Sequence, residues 1–263
     1  MEQKKYNVDG CDIQDVQRHI LGVLMVIDRL CTENGIRYTL SEGTLLGAIR
    51  HQGFIPWDDD GDVMMPRDDY EKFVKIAAEQ MPEGYCFQCL ENTKNYPYNF
   101  GKVFDTGTVY TESGTSHLSL GHAVYVDIFP MDYATEDTYR YHAKMVSHYT
   151  DIRYQKLKMI HEARLAPFAL APLSFLNWRA TRHMKYHYKK RGDNLIEMCF
   201  LGPNRPMVHK SLFEDVVRVP FNGEMLPVPA DYDFYLTARY GDYMTPPPDK
   251  LQGPTHNISK VRL

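Results

Sequence analysis

Four aspartates fall within five residues of this chain, at Asp58, Asp59, Asp60 and Asp62. Ionised carboxylates this close repel one another, so packing alone gives no reason to gather them. A hard divalent cation does, because it takes oxygen ligands and binds through one or two carboxylates together with substrate phosphates. Asp60 and Asp62 stand two residues apart. In a strand running from Asp60 to Met65, the period of two puts both on one face. Upstream, Gly43-Thr44 opens a short helix from Leu45 to Arg50 that Gly53 ends. Glycine lets a phosphate approach the backbone, and the first helical turn offers it unpaired N–H groups and partial positive charge. Strand, Gly-Thr helix start and D-x-D strand together suit phosphate transfer, with Mg²⁺ or Mn²⁺ bridging phosphate oxygens and activating a nucleophile.

Further side chains extend this arrangement. Asp127 is the single charge in an apolar strand from Ala123 to Phe129, and a lone buried carboxylate needs a partner or a metal. It is the candidate third acid. Arg50, at the end of the Gly-Thr helix, and Lys102, within Phe100–Val103, are the favoured cations for neutralising a diphosphate, ahead of His51 and Arg67. Asp58 and Asp59 are expected to orient the loop around the ligands, with Trp57 anchoring the turn. Tyr96, Tyr98, Phe100, Tyr110 and Tyr125 crowd the same stretches, and aromatic faces can hold a quaternary ammonium by cation–π attraction.

The elements that carry these residues can be read from periodicity. Ile13, Val16, Ile20, Val23, Ile27 and Leu30 recur at steps of three and four, which predicts an amphipathic helix capped by Asp12 and ended by Gly35. Ile36 to Ser41 reads as a strand, Pro66 stops the carboxylate strand, and Asp68 caps a helix through about Gln80. Strands are predicted over Tyr85–Leu90, Asn99–Asp105 and Thr108–Glu112, the last two joined by a tight turn at Thr106-Gly107. Helix formers run from Glu136 to His161. A last helix spans Asp231 to Tyr240, and the tail from Asp242 reads as a Pro-rich loop.

With 263 residues and 43% hydrophobic content, the chain can bury a full core as one large domain or one domain with an appendage. Its formal net charge of −4 gives no basic balance for nucleic acid. Five irregularly spaced cysteines read as reduced thiols, and the lone pair Cys86/Cys89 lacks a second Cys/His pair for zinc. The polar N-terminal stretch has no apolar signal core, and no run of about 18 apolar residues offers a membrane span. A cytoplasmic location is expected.

The run from Tyr38 to Val63, including Ser41-Glu42-Gly43-Thr44-Leu45-Leu46-Gly47-Ala48-Ile49-Arg50 and Trp57-Asp58-Asp59-Asp60-Gly61-Asp62, resembles the signature of the LicD family. So do Val126-Asp127-Ile128-Phe129-Pro130 and Tyr240-Gly241-Asp242-Tyr243-Met244. That family contains bacterial phosphocholine transferases, relatives of the fukutin and fukutin-related proteins, within the nucleotidyltransferase superfamily. The resemblance implies an α/β (α+β) chain forming one domain over 1–263. Its core is a nucleotidyltransferase-fold mixed sheet flanked by helices, with a helical insertion at about 136–200. It also implies Gly43-Thr44 as the phosphate-contacting turn, Asp60 and Asp62 as the metal pair and Asp127 as the third carboxylate. The donor would be CDP-linked, CDP-choline first and CDP-ribitol or CDP-ethanolamine next. The acceptor would be a sugar hydroxyl of a lipopolysaccharide, teichoic acid or capsule polysaccharide precursor. Two positions depart from the family pattern: Gly61 replaces a branched aliphatic, and Glu42 stands where a small residue is commoner.

A second region points elsewhere. Leu165 to Trp178 is apolar, and Arg179, Arg182, Lys185, Lys189, Lys190 and Arg191 follow with no acid between them. An apolar wedge with a tryptophan and a basic run fits peripheral contact with an anionic membrane through 165–191, at its cytoplasmic face. A helical hairpin packed on the domain is the alternative. Two rival functions remain open: a D-x-D glycosyltransferase using a nucleotide sugar, and a catalytically silent, membrane-associated scaffold.

Overall fold

The computed structural model describes residues 6–118, 120–162, 172–190, 192–197 and 206–263. A short ribbon of β1 (Asn7–Val8) and β2 (Cys11–Asp12) leads into helix α1 (Ile13–Asn34). Asp12 accepts from the Gln14 N–H at 3.0 Å, and Gly35 ends the helix at φ 60°, as the capping pattern predicts. The three-and-four stripe is buried from Ile13 to Leu30, and α1 lies on the sheet beside α3.

Next come β3 (Thr39–Leu40), α2 (Glu42–His51), β4 (Asp62–Pro66) and α3 (Arg67–Gln80). Three local expectations are corrected here. The carboxylate strand begins at Asp62, so Asp60 lies in the irregular segment before it and strand period does not fix its direction. The left-handed residue ending α2 is Gln52, at φ 55°; Gly53 is required because a Cβ there would meet Asn222 Oδ1 at 1.9 Å. Asp68 sits inside the first turn of α3, where it accepts from Tyr133 and Tyr188 instead of capping.

Strands β5 (Tyr85–Gln88), β6 (Gly101–Asp105), β7 (Val109–Glu112) and β8 (Val124–Tyr133) follow, then helices α4 (Tyr139–His161) and α5 (Leu173–Met184). Strand β8 organises the sheet. It runs parallel to β4 from Asp127 to Met131, and antiparallel to β6 over Val124–Ile128. Its last residues pair with β9 (Asn194–Glu197), which pairs with β10 (Val208–His209). With β3 on β4 and β5 on β6, this is a seven-stranded mixed sheet. The expectation of a mixed α/β architecture holds. The stretch at 136–200 is helical through α4 and α5 but returns to the sheet at β9.

The remaining elements are a hairpin of β11 (Val216–Phe221) and β12 (Glu224–Pro229), helix α6 (Tyr232–Tyr240) and strand β13 (Ile258–Arg262). The tail is therefore not all loop. Strand β13 takes β7 as its antiparallel partner, so the turn at Thr106-Gly107 leads β7 away from β6 rather than back along it. No helix among the described residues is long and apolar enough to cross a membrane.

Candidate active site

Sheet register assembles the first three residues. Asp62 on β4 stands opposite Asp127 on β8, and Asp127 stands opposite Lys102 on β6. Partners in register share a face, so the three side chains form one row across the sheet. Lys102 Nζ lies 2.6 Å from Asp127 Oδ1. That contact is an ion pair without hydrogen-bond alignment, since Oδ1 has no aligned donor. Burial pushes the Asp127 carboxyl up to about 6 against the pull of Lys102.

Helix α2 and the loop before β4 bring the other acids to the row. Ser41 precedes α2 and donates its N–H to the Asp62 carbonyl at 3.0 Å, and the Asp62 N–H donates to Thr44 Oγ1 at 2.9 Å. Thr44 thereby ties the helix start to the carboxylate strand. A Cβ on Gly43 would stand 2.7 Å from Asp58 Oδ2, so the glycine admits a carboxylate to the helix start. Asp58 Oδ2 is buried with no hydrogen-bond partner, and so is Ser41 Oγ. Burial raises the carboxyls of Asp58, Asp60 and Asp62 above the usual range, and repulsion from Asp60 lifts Asp58 and Asp62 further.

The two departures noted in the sequence have structural answers. Glu42, at φ 45°, turns its carboxylate to α6, where Tyr235 and Arg239 each donate at 2.8 Å. A Cβ on Gly61 would meet Ile20 Cγ2 at 2.6 Å and Val126 Cγ2 at 3.1 Å, so the glycine lets α1 approach the loop.

Two expected contacts go elsewhere. Arg50 lies at the far end of α2, donating to His51 Nε2 and the Tyr243 carbonyl. The aromatic rings enclose a cation, but it is the chain's own: Lys102 Nζ sits 3.4 Å from the Tyr125 ring centroid, 5.2 Å from Tyr98 and 5.6 Å from Phe100.

One residue had no signal in the sequence. His256, in the segment before β13, places Nδ1 3.1 Å from Asp59 Oδ1 and Nε2 3.8 Å from Asp60 Oδ2. Asp59 also accepts from Thr255 N and Oγ1, both at 3.0 Å, and from Tyr110 Oη at 3.1 Å. Burial alone would raise Asp59, but the His256 and Thr255 hydrogen bonds hold it below the usual range. Burial disfavours the charged imidazole, yet the flanking carboxylates push His256 up to about 9. Asp59 thus orients the loop, as expected for it.

The donor set fits a divalent cation. Asp60, Asp62 and Asp127 offer hard oxygen ligands, and among the described residues no cation is paired with Asp58 or Asp62. Uncompensated, desolvated carboxylates at one place are what a bound cation relieves. Residues 35–177 match the family model described as LicD/FKTN/FKRP, nucleotidyltransferase domain. The chain belongs to the LicD family. It is 31% identical over 257 residues to the lipopolysaccharide cholinephosphotransferase LicD of Haemophilus influenzae, covering 93% of this chain and 96% of that protein. Shorter matches reach two uncharacterized rickettsial proteins, 46% identical over 56 residues in Rickettsia typhi and 35% over 82 residues in Rickettsia prowazekii. The 56-residue match covers 21% of this LicD-family chain and 18% of that protein, and the 82-residue match covers 31% and 29%.

Proposed function

We propose that this LicD-family chain is a phosphotransferase that moves phosphocholine from CDP-choline to a sugar hydroxyl of a cell-surface glycan, with lipopolysaccharide the first acceptor to test. The observation that carries the reading is the row Asp62–Asp127–Lys102, flanked by Asp60, at the mouth of a helix start that admits a carboxylate. The full-length likeness to a cholinephosphotransferase supports the choice of headgroup. Asp60, Asp62 and Asp127 would hold Mg²⁺ or Mn²⁺, which would neutralise the donor diphosphate and favour loss of CMP. Asp127 would accept the proton of the attacking hydroxyl; its carboxyl, lifted to about 6 in the metal-free chain, is still largely ionised at neutral pH. Lys102 holds Asp127 in place, and its buried charge would add to the field that favours the developing negative charge. Since Lys102 fills the Tyr98–Phe100–Tyr125 rings, choline must be recognised by other groups.

The test is cation-dependent CMP release from CDP-choline, CDP-ethanolamine and CDP-ribitol in the presence of lipopolysaccharide, followed by mass spectrometry of the acceptor. CMP release with phosphocholine on the glycan is expected. Release of a nucleoside diphosphate from a nucleotide sugar would instead make the chain a D-x-D glycosyltransferase. No turnover with any donor would make it a scaffold.

The same reading locates the chain at the cytoplasmic face of a membrane, through α5. This helix buries Leu176, Ala180 and Met184 against the protein and exposes Phe175 and Trp178, the latter 52% exposed. Arg182 lies over the Trp178 ring at 5.6 Å. Aromatic rings under guanidinium groups suit an anionic lipid surface. Residues 165–171 and Arg191 of the expected segment lie outside the described residues. Lys185 pairs with Glu71 of α3, so the cations offered to lipid are Arg182, Lys189 and Lys190.

A further inference from the structure

The two ring nitrogens of His256 face different carboxylates at different distances. Asp59 accepts on both oxygens from Tyr110, Thr255 and the His256 backbone, so Nδ1 supplies the hydrogen of the 3.1 Å contact. Nε2 faces Asp60 Oδ2 across 3.8 Å, too long for a hydrogen bond, and a cation taken up there would displace the proton that Nε2 carries in the metal-free chain. Metal-binding histidines are characteristically fixed this way, one nitrogen donating to a carboxylate and the other aimed at the cation. Two ligand atoms on a cation at roughly 2.0–2.2 Å stand about 2.8–3.6 Å apart at ordinary octahedral or tetrahedral angles, so the 3.8 Å Nε2–Oδ2 separation has only to close slightly around a cation. Ligand atoms of Asp59, Asp60 and His256 all lie within 4.8 Å of one another. Asp59 has its oxygens committed, which leaves His256 and Asp60 as the ligating pair. An independent observation marks the same place: Asp58, 8% exposed and in contact with Asp60, keeps Oδ2 buried without any donor.

We propose that His256 Nε2 is a nitrogen ligand to the cation held by Asp60, with Asp59 as the positioning residue that fixes its ring. The use of that cation in catalysis rests on the proposed phosphotransferase reading; its binding does not. A nitrogen donor also changes which cation the site takes. Oxygen-only sites suit Mg²⁺, whereas an imidazole suits transition metals such as Zn²⁺ or Fe²⁺, and Mn²⁺, itself at home among carboxylates, tolerates a nitrogen ligand better than Mg²⁺ does. This chain therefore binds Mn²⁺ more tightly than Mg²⁺ by a margin that depends on His256.

The probe is Mn²⁺ alone, added to the full chain and read by pulsed electron paramagnetic resonance. A ¹⁴N coupling is expected in the wild type, changing to ¹⁵N in protein grown with ¹⁵N-histidine, a readout that needs no variant. His256→Ala should lose the coupling and bind Mn²⁺ about 10–100-fold more weakly, with little change for Mg²⁺. Asp59→Asn should weaken Mn²⁺ while leaving the coupling detectable, and the melting temperature shows that each variant is folded. Bound Mn²⁺ without nitrogen coupling in the wild type, or with coupling that survives His256→Ala, overturns the assignment. Turnover of CDP-choline in Mg²⁺ with no nitrogen coupling would sink the ligand and keep the function; coupling without turnover of any donor would do the reverse.

Discussion

Strand β8 buries an aspartate toward each end, and their surroundings differ. Asp132 is gripped by Arg67, whose Nε and one terminal nitrogen donate to its two oxygens at 2.7 and 2.8 Å, both side chains being almost fully buried. Asp127 has one ammonium against one oxygen and shares its row with Asp62, which has no cation. The Asp132 pair is closed and leaves nothing for a ligand. The Asp127 row sets two carboxylates against one ammonium, an imbalance that the proposed cation would relieve. Burial of charge is common to both regions, and incomplete neutralisation separates a site from a strut.

The sharpest way to break this comparison is at Asp62. Asp62→Asn should cut turnover by about a thousandfold or more, roughly 4 kcal/mol of transition-state stabilisation. The metal-free melting temperature should stay level or rise, because a repulsion is removed. Wild-type turnover at saturating Mg²⁺ or Mn²⁺ would end the role given to the row. Asp132→Asn should do the opposite. Leaving Arg67 buried without its partner costs about 3–5 kcal/mol, seen as a lower denaturant midpoint, while turnover per folded molecule is retained. Equal losses of activity in both variants would erase the distinction.

Acid should act on two regions in opposite directions. His142 is buried against His183, Nδ1 to Nδ1 at 3.0 Å, and burial followed by the His183 charge lowers it from 6.5 to about 4. Between those values the unfolded chain binds the extra proton, so stability present above pH 6.5 is lost as pH falls. Asp127 moves from 3.8 to about 6, so in its window the folded chain binds the proton and stability rises as pH falls. Melting temperature against pH, measured without metal, should flatten on the acid side in His142→Gln and steepen in Asp127→Asn. Parallel profiles for the two variants would contradict these assignments. The smallest effect belongs to α5: each of Arg182→Ser and Lys189→Ser should weaken binding to anionic vesicles by about 1 kcal/mol, with turnover on a soluble acceptor unchanged. Co-sedimentation equal to wild type would return the helix to ordinary packing.

What the sequence disclosed depended on how local the cause was. Helix α1 was legible because its stripe and both caps lie within its own residues. Asp62 was legible from the crowding of four aspartates, and Asp127 because a lone charge in an apolar strand is conspicuous. The same criterion applies to Asp132, yet only Arg67, 65 residues away, explains that residue. The β11–β12 hairpin had a local signal that went unread: Asn222-Gly223, at φ 49° and 92°, is a favoured two-residue turn. His256 had none. It stands in a Pro-rich stretch, and its partner Asp59 is 197 residues distant. The pairing of β13 with β7 was hidden for the same reason.

That distant latch bears on when the molecule becomes competent. Asp59 sits in the loop that delivers Asp60 and Asp62, yet the groups that hold it come from Thr255 and His256. Closing so long a span carries an entropic cost that is recovered only when the far contacts form. The sheet can be complete, with β4 already beside β8, while the loop that carries the ligands is still untethered. A copy in which the Thr255 and His256 contacts had not formed would keep its sheet while the loop around Asp59 lost its anchor.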